Sequence, residues 1–319
     1  MKKALIIGLK GLFAVAALGY LIYTIDSAAL WAAFHEVDLI WIGVSLGLVP
    51  VIVGLDAAVW RKLLAPVIPE VTMPSVVCAV LSGSAWGVVT PARVGEFAGR
   101  AFHFPEADAW QVSATVFAQR VIDTAVCSVM GLGALLFALQ AGWLPNTALW
   151  TTITLAVAGV SLVLALAVCF PGRTTRVIQW IAPQANQLHR RITFLEQIDG
   201  PSGRRILQLA LLRQGIFCAL FASLVAAFGP AAAPLDILVG ILLVFLAKFL
   251  LPSVTLLDLG VREGAAVFFL GAVGVAPEAA FNAALLMFVL TGVVPALAGL
   301  PYAFRLPRTL SSVVSGSSA

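Results

Sequence analysis

Long apolar runs alternate with short polar breaks along this chain. The runs cover residues 4–25, 39–60, 110–139, 148–170, 206–228 and 279–302. A helix needs about 20 apolar residues to cross the hydrocarbon of a bilayer. The pattern therefore predicts about six full spans. Two further runs, 76–89 and 236–251, are short and stop at prolines, Pro91 and Pro252. Such lengths suit re-entrant half-helices. The first short run carries Ser82-Gly83-Ser84-Ala85, small residues that let backbones pack closely.

The breaks carry an uneven charge. Lys2, Lys3 and Lys10 precede or open the first run, and the loop after it holds Asp26, Glu36 and Asp38 with no Lys or Arg. Run 4–25 is too long for the apolar core of a cleaved signal, so a retained first helix is expected. Arg61 and Lys62 close the second run, and Arg305 and Arg308 follow the last. The most basic loop is 171–205, with Arg173, Arg176, Arg190, Arg191, Arg204 and Arg205. Cytoplasmic loops are enriched in Lys and Arg, so both termini and this loop are expected in the cytoplasm. Apolar residues interleave with the charges of 171–205, as in amphipathic helices lying on an anionic membrane surface.

Composition narrows the class. Of 319 residues, 61% are hydrophobic and 11% charged, against about 25% charged in a soluble domain. That excludes an ordinary soluble enzyme, a disordered chain and a nucleic-acid binder. The four cysteines lie inside apolar runs and read as packing residues. The three histidines are scattered, so no metal site and no cofactor are expected. The fold class is all-α: one polytopic membrane domain over 1–310, followed by a polar tail at 311–319.

The two halves share an outline. Repeats of about 39–170 and 206–302 would be joined by 171–205. Each holds a short run, then a proline, then a loop with Arg, Gly and Glu. These are Pro91, Arg93, Gly95 and Glu96 in the first half, and Pro252, Gly260, Arg262 and Glu263 in the second. The first short run starts from the basic side and the second from the uncharged turn at Pro230. That is the pattern of an inverted repeat, in which broken segments meet near the membrane middle at a substrate site.

Charged groups at membrane depth cost about 2.5–3.5 kcal/mol each and mark pathways or internal pairs. The candidates are Arg93, Glu96, Arg100, Arg120, Asp123, Asp258, Arg262 and Glu263. Thr90 stands at the first break. Gln111, Thr115, Gln119 and Asp123 recur every four residues on the third long run, on one slowly drifting face. That polar seam must face protein or water. Arg120 with Asp123 reads equally as an internal ion pair or as part of a site. Arg100, Asp56 and Lys248 read as snorkelling or capping groups. Guanidinium forks match phosphate oxygens and stay charged in apolar surroundings. A phosphate-bearing lipid headgroup is the ligand they suit.

The stretch Thr90-Pro91-Ala92-Arg93-Val94-Gly95-Glu96-Phe97-Ala98-Gly99-Arg100 resembles the "TPGRxGE…R" segment of the lysylphosphatidylglycerol synthase transmembrane (flippase-like) family. Gln119-Arg120-Val121-Ile122-Asp123 is similar to its "ERxxD" segment, with Gln119 in place of Glu. Leu259-Gly260-Val261-Arg262-Glu263 is similar to its "GxGxRE" segment, with Asp258 where a small residue is common. The three lie in the family's order and span nearly the whole chain. The resemblance implies a stand-alone inner-membrane protein that translocates lipid. The stretch after Tyr302 is too short for a synthase domain, so aminoacyl transfer is not implied. Gln119 removes a charge a proton relay would use.

The expected function is translocation of a phospholipid or polyprenyl phosphate through a polar cavity. The substrate-binding set is Arg93, Glu96, Arg120, Asp123, Arg262 and Glu263, with Thr90, Gln119 and Asp258. A non-transporting subunit that docks a lipid- or glycan-synthesis enzyme through the basic loop is the alternative. The state of assembly is left open, a homo-oligomer included. No nucleophile–base pair or metal cluster points to an enzyme.

Overall fold

The computed structural model describes residues 37–90, 93–145, 147–170, 172–176, 193–198, 200–229, 232–250 and 260–303. These residues are helical, with no strand among them. The helices are α1 (Leu39–Leu64), α2 (Met73–Val88), α3 (Gly95–Ala101), α4 (Ala109–Gln140) and α5 (Ala148–Cys169). They continue as α6 (Gly200–Ala226), α7 (Pro234–Leu250), α8 (Val261–Gly271), α9 (Pro277–Phe288) and α10 (Val294–Ala303). A π-helical turn, Val289–Val293, joins α9 to α10 into one rod.

Five helical stretches are long and apolar enough to cross a membrane: α1, α4, α5, α6 and the rod Pro277–Ala303. They match five of the six expected spans. The expected first helix, 4–25, lies outside the described residues. So do most of the expected surface helices of 171–205, the C-terminal arginines and the tail. Within that basic segment, Thr193–Gln197 form a 3-10 turn. Arg204 and Arg205, expected in the loop, belong to the first turns of α6.

Local chemistry sets the helix starts. Asp38 accepts a hydrogen bond from the Ile40 amide at 2.9 Å, and Asp108 accepts one from Trp110 at 2.9 Å. Each satisfies a backbone donor that the first turn leaves unpaired. Pro74 and Pro277 open α2 and α9, where their missing N–H costs nothing. Arg61 and Lys62 sit in the last turn of α1, favourable at the negative end of the helix dipole.

The centre is an antiparallel pair, α1 against α6. The Asp38 amide donates to Ala227 O at 2.9 Å at one end, and the Ser45 and Ser223 hydroxyls share a hydrogen bond of 2.7 Å further in. The basic ends of both helices therefore lie at the same end of the bundle. Around this pair the packing partners recur. α2 packs on α10 while α7 packs on α4; α3 packs on α2 and α4 while α8 packs on α7 and α9. Glycines permit the tightest approaches, as small residues do between membrane helices. A Cβ on Gly131 of α4 would stand 2.7 Å from the Leu246 Cβ of α7. A Cβ on Gly299 of α10 would overlap the Leu81 carbonyl oxygen of α2.

One core cluster joins α1, α6, α7, α8 and α9 through Phe221, Leu224, Ile241, Leu270 and Met287. Another joins α1, α2 and α4 through Trp60, Leu64, Val76 and Val112. Outside, large apolar side chains are bare: Leu39 is 74% exposed and Leu155 is 69% exposed. Such a surface suits lipid and not water.

Candidate functional site

The site is built on the first broken segment. α2 presents Gly83 and Gly87 to α3, and α3 returns Gly99. A Cβ on Gly83 would stand 2.7 Å from Arg100 Cγ and 3.2 Å from Glu96 Cγ. A Cβ on Gly99 would stand 2.7 Å from the Trp86 ring. The missing side chains let α3 lie directly on α2 and bring Glu96 and Arg100 inward. Thr90 fixes the turn between them. Its hydroxyl donates to Trp86 O at 2.9 Å and accepts from the Gly95 amide at 2.7 Å. Arg93 takes φ 54°, a left-handed conformation uncommon outside glycine.

Glu96 is 2% exposed and gathers three guanidiniums. Arg100 Nη2 donates to its Oε1 at 2.6 Å, Arg120 Nη2 bonds its Oε2, and Arg93 Nε lies 3.3 Å from Oε2. Arg100 reaches further. It donates to Asp56 Oδ2 at 2.8 Å and to Gln119 Oε1 at 2.9 Å, and its guanidinium lies 4.8 Å from the centre of the Trp60 ring. Gln119 donates in turn to Asp56 Oδ1 at 2.9 Å. Arg213, from α6, bonds Asp56 with one nitrogen and Asp123 with another.

The result is one connected network drawn from α1, α3, α4 and α6. At about 1.5 Å of rise per residue, Arg213 stands about 20 Å along α6 and Asp123 about 21 Å along α4. Both positions are far from their helix ends. Burying an ion costs several kcal/mol unless charge and hydrogen bonds compensate it. Here four arginines meet three carboxylates, so compensation is extensive but leaves a positive surplus.

The network forms one wall of a cavity of about 290 Å³. Asp56, Arg93, Glu96, Arg100, Arg120, Asp123, Arg213 and Lys248 line it. Val49, Ile52, Val53, Phe217, Phe245 and Phe249 supply an apolar side. Arg93 and Arg120 are the accessible members: 34% and 43% of their side chains are exposed. The arrangement offers guanidinium donors at membrane depth beside a hydrocarbon-like wall. Among the described residues no group of His, Cys, Asp and Glu could hold a metal.

The family model for the lysylphosphatidylglycerol synthase TM region matches residues 5–299. The chain belongs to this family. No curated protein matches it significantly. Membership in the lysylphosphatidylglycerol synthase TM family makes it a multi-pass protein of a lipid-related membrane family. The matched region is a transmembrane one and not a catalytic domain.

Of the residues expected at one hollow, the structure brings Arg93, Glu96, Arg120 and Asp123 to the cavity wall. Gln119 stands behind that wall, holding Arg100 and Asp56. Thr90 is spent on the backbone of the turn. Arg262 and Glu263 do not line the cavity. Both are buried on α8, where Glu263 Oε2 accepts from the Gly260 amide at 2.7 Å and Arg262 lies 5.9 Å from the Phe288 ring centre. Asp258 lies outside the described residues.

Three readings from sequence need correction. Arg100 does not snorkel: it is 3% exposed and joins Glu96, Asp56 and Gln119. Asp56 is no helix cap but the counter-ion of Arg100 and Arg213. Arg120 pairs with Glu96 rather than with Asp123, whose partner is Arg213. The sequence reading missed Arg213 altogether. It lies inside an apolar span, which is the criterion that singled out Arg120.

Proposed function

We propose that this protein translocates a phosphate-bearing lipid across the cytoplasmic membrane, with both termini in the cytoplasm. The headgroup would cross through the cavity beside α3 while the acyl chains stay in the bilayer. The observation that carries this reading is the surplus of guanidinium charge around a cavity at membrane depth. Arginine supplies planar pairs of donors that replace the hydration of phosphate oxygens. That lowers the cost of moving the headgroup through a medium in which a bare charge is expensive.

An inverted repeat accompanies the proposal. Three features favour it. The packing partners exchange between halves. Gly260 and Glu263 lie 167 residues after Arg93 and Glu96. Arg93 and Gly260 both take positive φ within two residues of the start of a short helix. In repeats of this kind, rocking of one half against the other alternates access to a fixed site. The α1–α6 pair, joined by Arg213 on Asp56, takes one helix from each half and is the natural hinge.

The test is movement of labelled phosphatidylglycerol between leaflets of vesicles containing the purified protein. Arg93→Ala and Arg120→Ala should abolish movement while the protein still folds. Arg262→Ala should keep it. Normal rates in both cavity variants would remove the basis of the reading.

A further inference from the structure

Among the described residues, Arg213 is the network's one member from α6; the others stand on α1, α3, α4 or the turn before α3. It forks between two helices: one nitrogen bonds Asp56 of α1 and the other bonds Asp123 of α4. The two carboxylates are held unequally. Asp56 is fixed on both oxygens, since Gln119 donates to Oδ1 at 2.9 Å beside Arg213, and Arg100 donates to Oδ2 at 2.8 Å. Among the described residues Asp123 meets Arg213 through Oδ1 alone, and it is partly exposed in the cavity wall. Arg213 also stands at a boundary. Ile206 and Ala210, two turns and one turn before it, share an apolar cluster with Leu63 of α1 and with Ile122 and Val126 of α4. Gln214 and Phe217, just after it, line the cavity.

From this we infer that Arg213 exchanges partners when a ligand arrives. It keeps Asp56 and gives up Asp123 for a phosphate oxygen of the headgroup, and the freed Asp123 turns to Arg120. The inference rests on the translocase reading for its ligand. It goes beyond that reading by naming the residue that links occupancy of the cavity to the contact between α4 and α6. Three features keep the cost of exchange low. A guanidinium carries its donors in a rigid fork, so one arm changes partner while the other stays. Arg–phosphate bonds are charge-assisted, like the carboxylate bond they replace. Asp123 is not left bare, because Arg120 precedes it by three positions on α4, within reach on one helix face. Glu96, which Arg120 then leaves, keeps Arg93 and Arg100. Breaking a buried pair is strongly unfavourable when one charge is stranded, and here none is. A ligand shifts a conformational equilibrium only by binding one state better than the other. The clasped state has both arms of Arg213 occupied and the released state offers one, so binding favours release of α4 from α6.

The test uses the purified full chain. Binding of acyl-labelled phosphatidylglycerol is measured in neutral detergent micelles, and its movement between leaflets in phosphatidylcholine vesicles. Asp123→Asn removes the competing carboxylate and leaves Arg213 on Asp56. It should bind the lipid at least about fivefold more tightly, the low end for coupled sites, and move it more slowly because the clasp no longer displaces it. Asp123→Glu keeps the charge and should bind like the parent. In an Arg213→Gln background the tightening should vanish, since the exchanging donor is gone. Arg213→Lys, with one nitrogen in place of the fork, is the background if that variant does not fold. Equal or weaker binding by Asp123→Asn overturns the inference. So does tightening of the same size in both backgrounds, which marks simple removal of a negative charge. Tighter binding with movement at the parental rate overturns it as well. If the parent binds the lipid but moves none, the translocase reading fails and the binding arms alone decide the exchange. Inorganic phosphate is titrated in parallel. If Asp123→Asn tightens its binding as strongly as that of the lipid, and the parent binds both equally, the exchange stands and the ligand is free phosphate, which sinks the lipid assignment.

Discussion

The two broken segments of this protein use the same backbone device for different chemistry. In each, a residue with positive φ precedes a short helix, and a buried glutamate follows three positions later: Arg93 and Glu96, then Gly260 and Glu263. At the second break, glycine takes the left-handed position and Glu263 turns back to the Gly260 amide. The glutamate is a cap. At the first break, an arginine takes the left-handed position and Glu96 turns outward to three guanidiniums. There the glutamate is the centre of an ion network. A positive φ thus precedes a buried glutamate at both breaks, and only the first glutamate joins the ion network around the cavity.

The glutamate comparison predicts the largest effect. Glu96→Gln leaves Arg93, Arg100 and Arg120 with one carboxylate fewer among buried groups. Breaking a buried ion pair from one side costs about 3–5 kcal/mol. Glu263→Gln retains an oxygen that still accepts from the Gly260 amide, so it should cost under about 1 kcal/mol. Unfolding midpoints in detergent should fall steeply for the first variant and little for the second. Equal losses would mean that Glu263 carries charge as well as capping.

The same contrast explains what the sequence made legible. Length and hydropathy fixed the spans because hydrocarbon thickness admits few solutions. Pro and Gly marked the breaks. The polar seam of α4 was legible too: Thr115 accepts from Trp60 Nε1 at 2.9 Å, and Gln119 and Asp123 both enter the network. Pairing across helices was not legible. Arg120 and Asp123 are three apart on one helix, yet each prefers a partner on another: Glu96 of α3 and Arg213 of α6. Local spacing offered a pair, and tertiary packing offered better ones. Asp56 looked peripheral because it stands near the end of an apolar run, and Arg100 because it closes a polar stretch; sequence position does not report what the short helices α2 and α3 fold over. The likeness of the two motif strings, both ending in Glu, suggested one shared hollow. The strings share a positive φ before a short helix, and their side chains do different chemistry.

A second contrast concerns the glycines that seat each half on the other. Gly131 faces the Leu246 Cβ at 2.7 Å, a smaller overlap that a slight shift between the two helices relieves. Gly299 faces the Leu81 main chain, where a Cβ would overlap the carbonyl oxygen outright and a larger shift is needed. Gly299→Ala should force α10 away from α2 and cost about 1–3 kcal/mol, the range for overpacking. Gly131→Ala should fall at or below the lower end of that range. Thermal unfolding of both variants measures the difference. Gly131→Ala being the more damaging would show that the α4–α7 contact is the tighter of the two.

The smallest effect is the most informative, because it separates fold from function at the two positive-φ positions. Gly260→Ala places a Cβ where L-residues pay about 1–2 kcal/mol, and nothing is gained in return. Stability should fall by about that amount. Arg93→Gly runs the other way. It relieves the left-handed strain of the native residue. It also removes a partly exposed contact to Glu96, of the kind worth about 0.2–1 kcal/mol. The two terms nearly cancel, so the unfolding free energy of Arg93→Gly should stay within about 0.5 kcal/mol of the parent. Lipid movement in vesicles should nevertheless be lost, since a guanidinium facing the cavity is gone. An arginine kept in a conformation that glycine adopts more easily is then accounted for by its ligand, and not by the fold. A variant that moved lipid at the parental rate would instead place Arg93 among the groups that only hold Glu96.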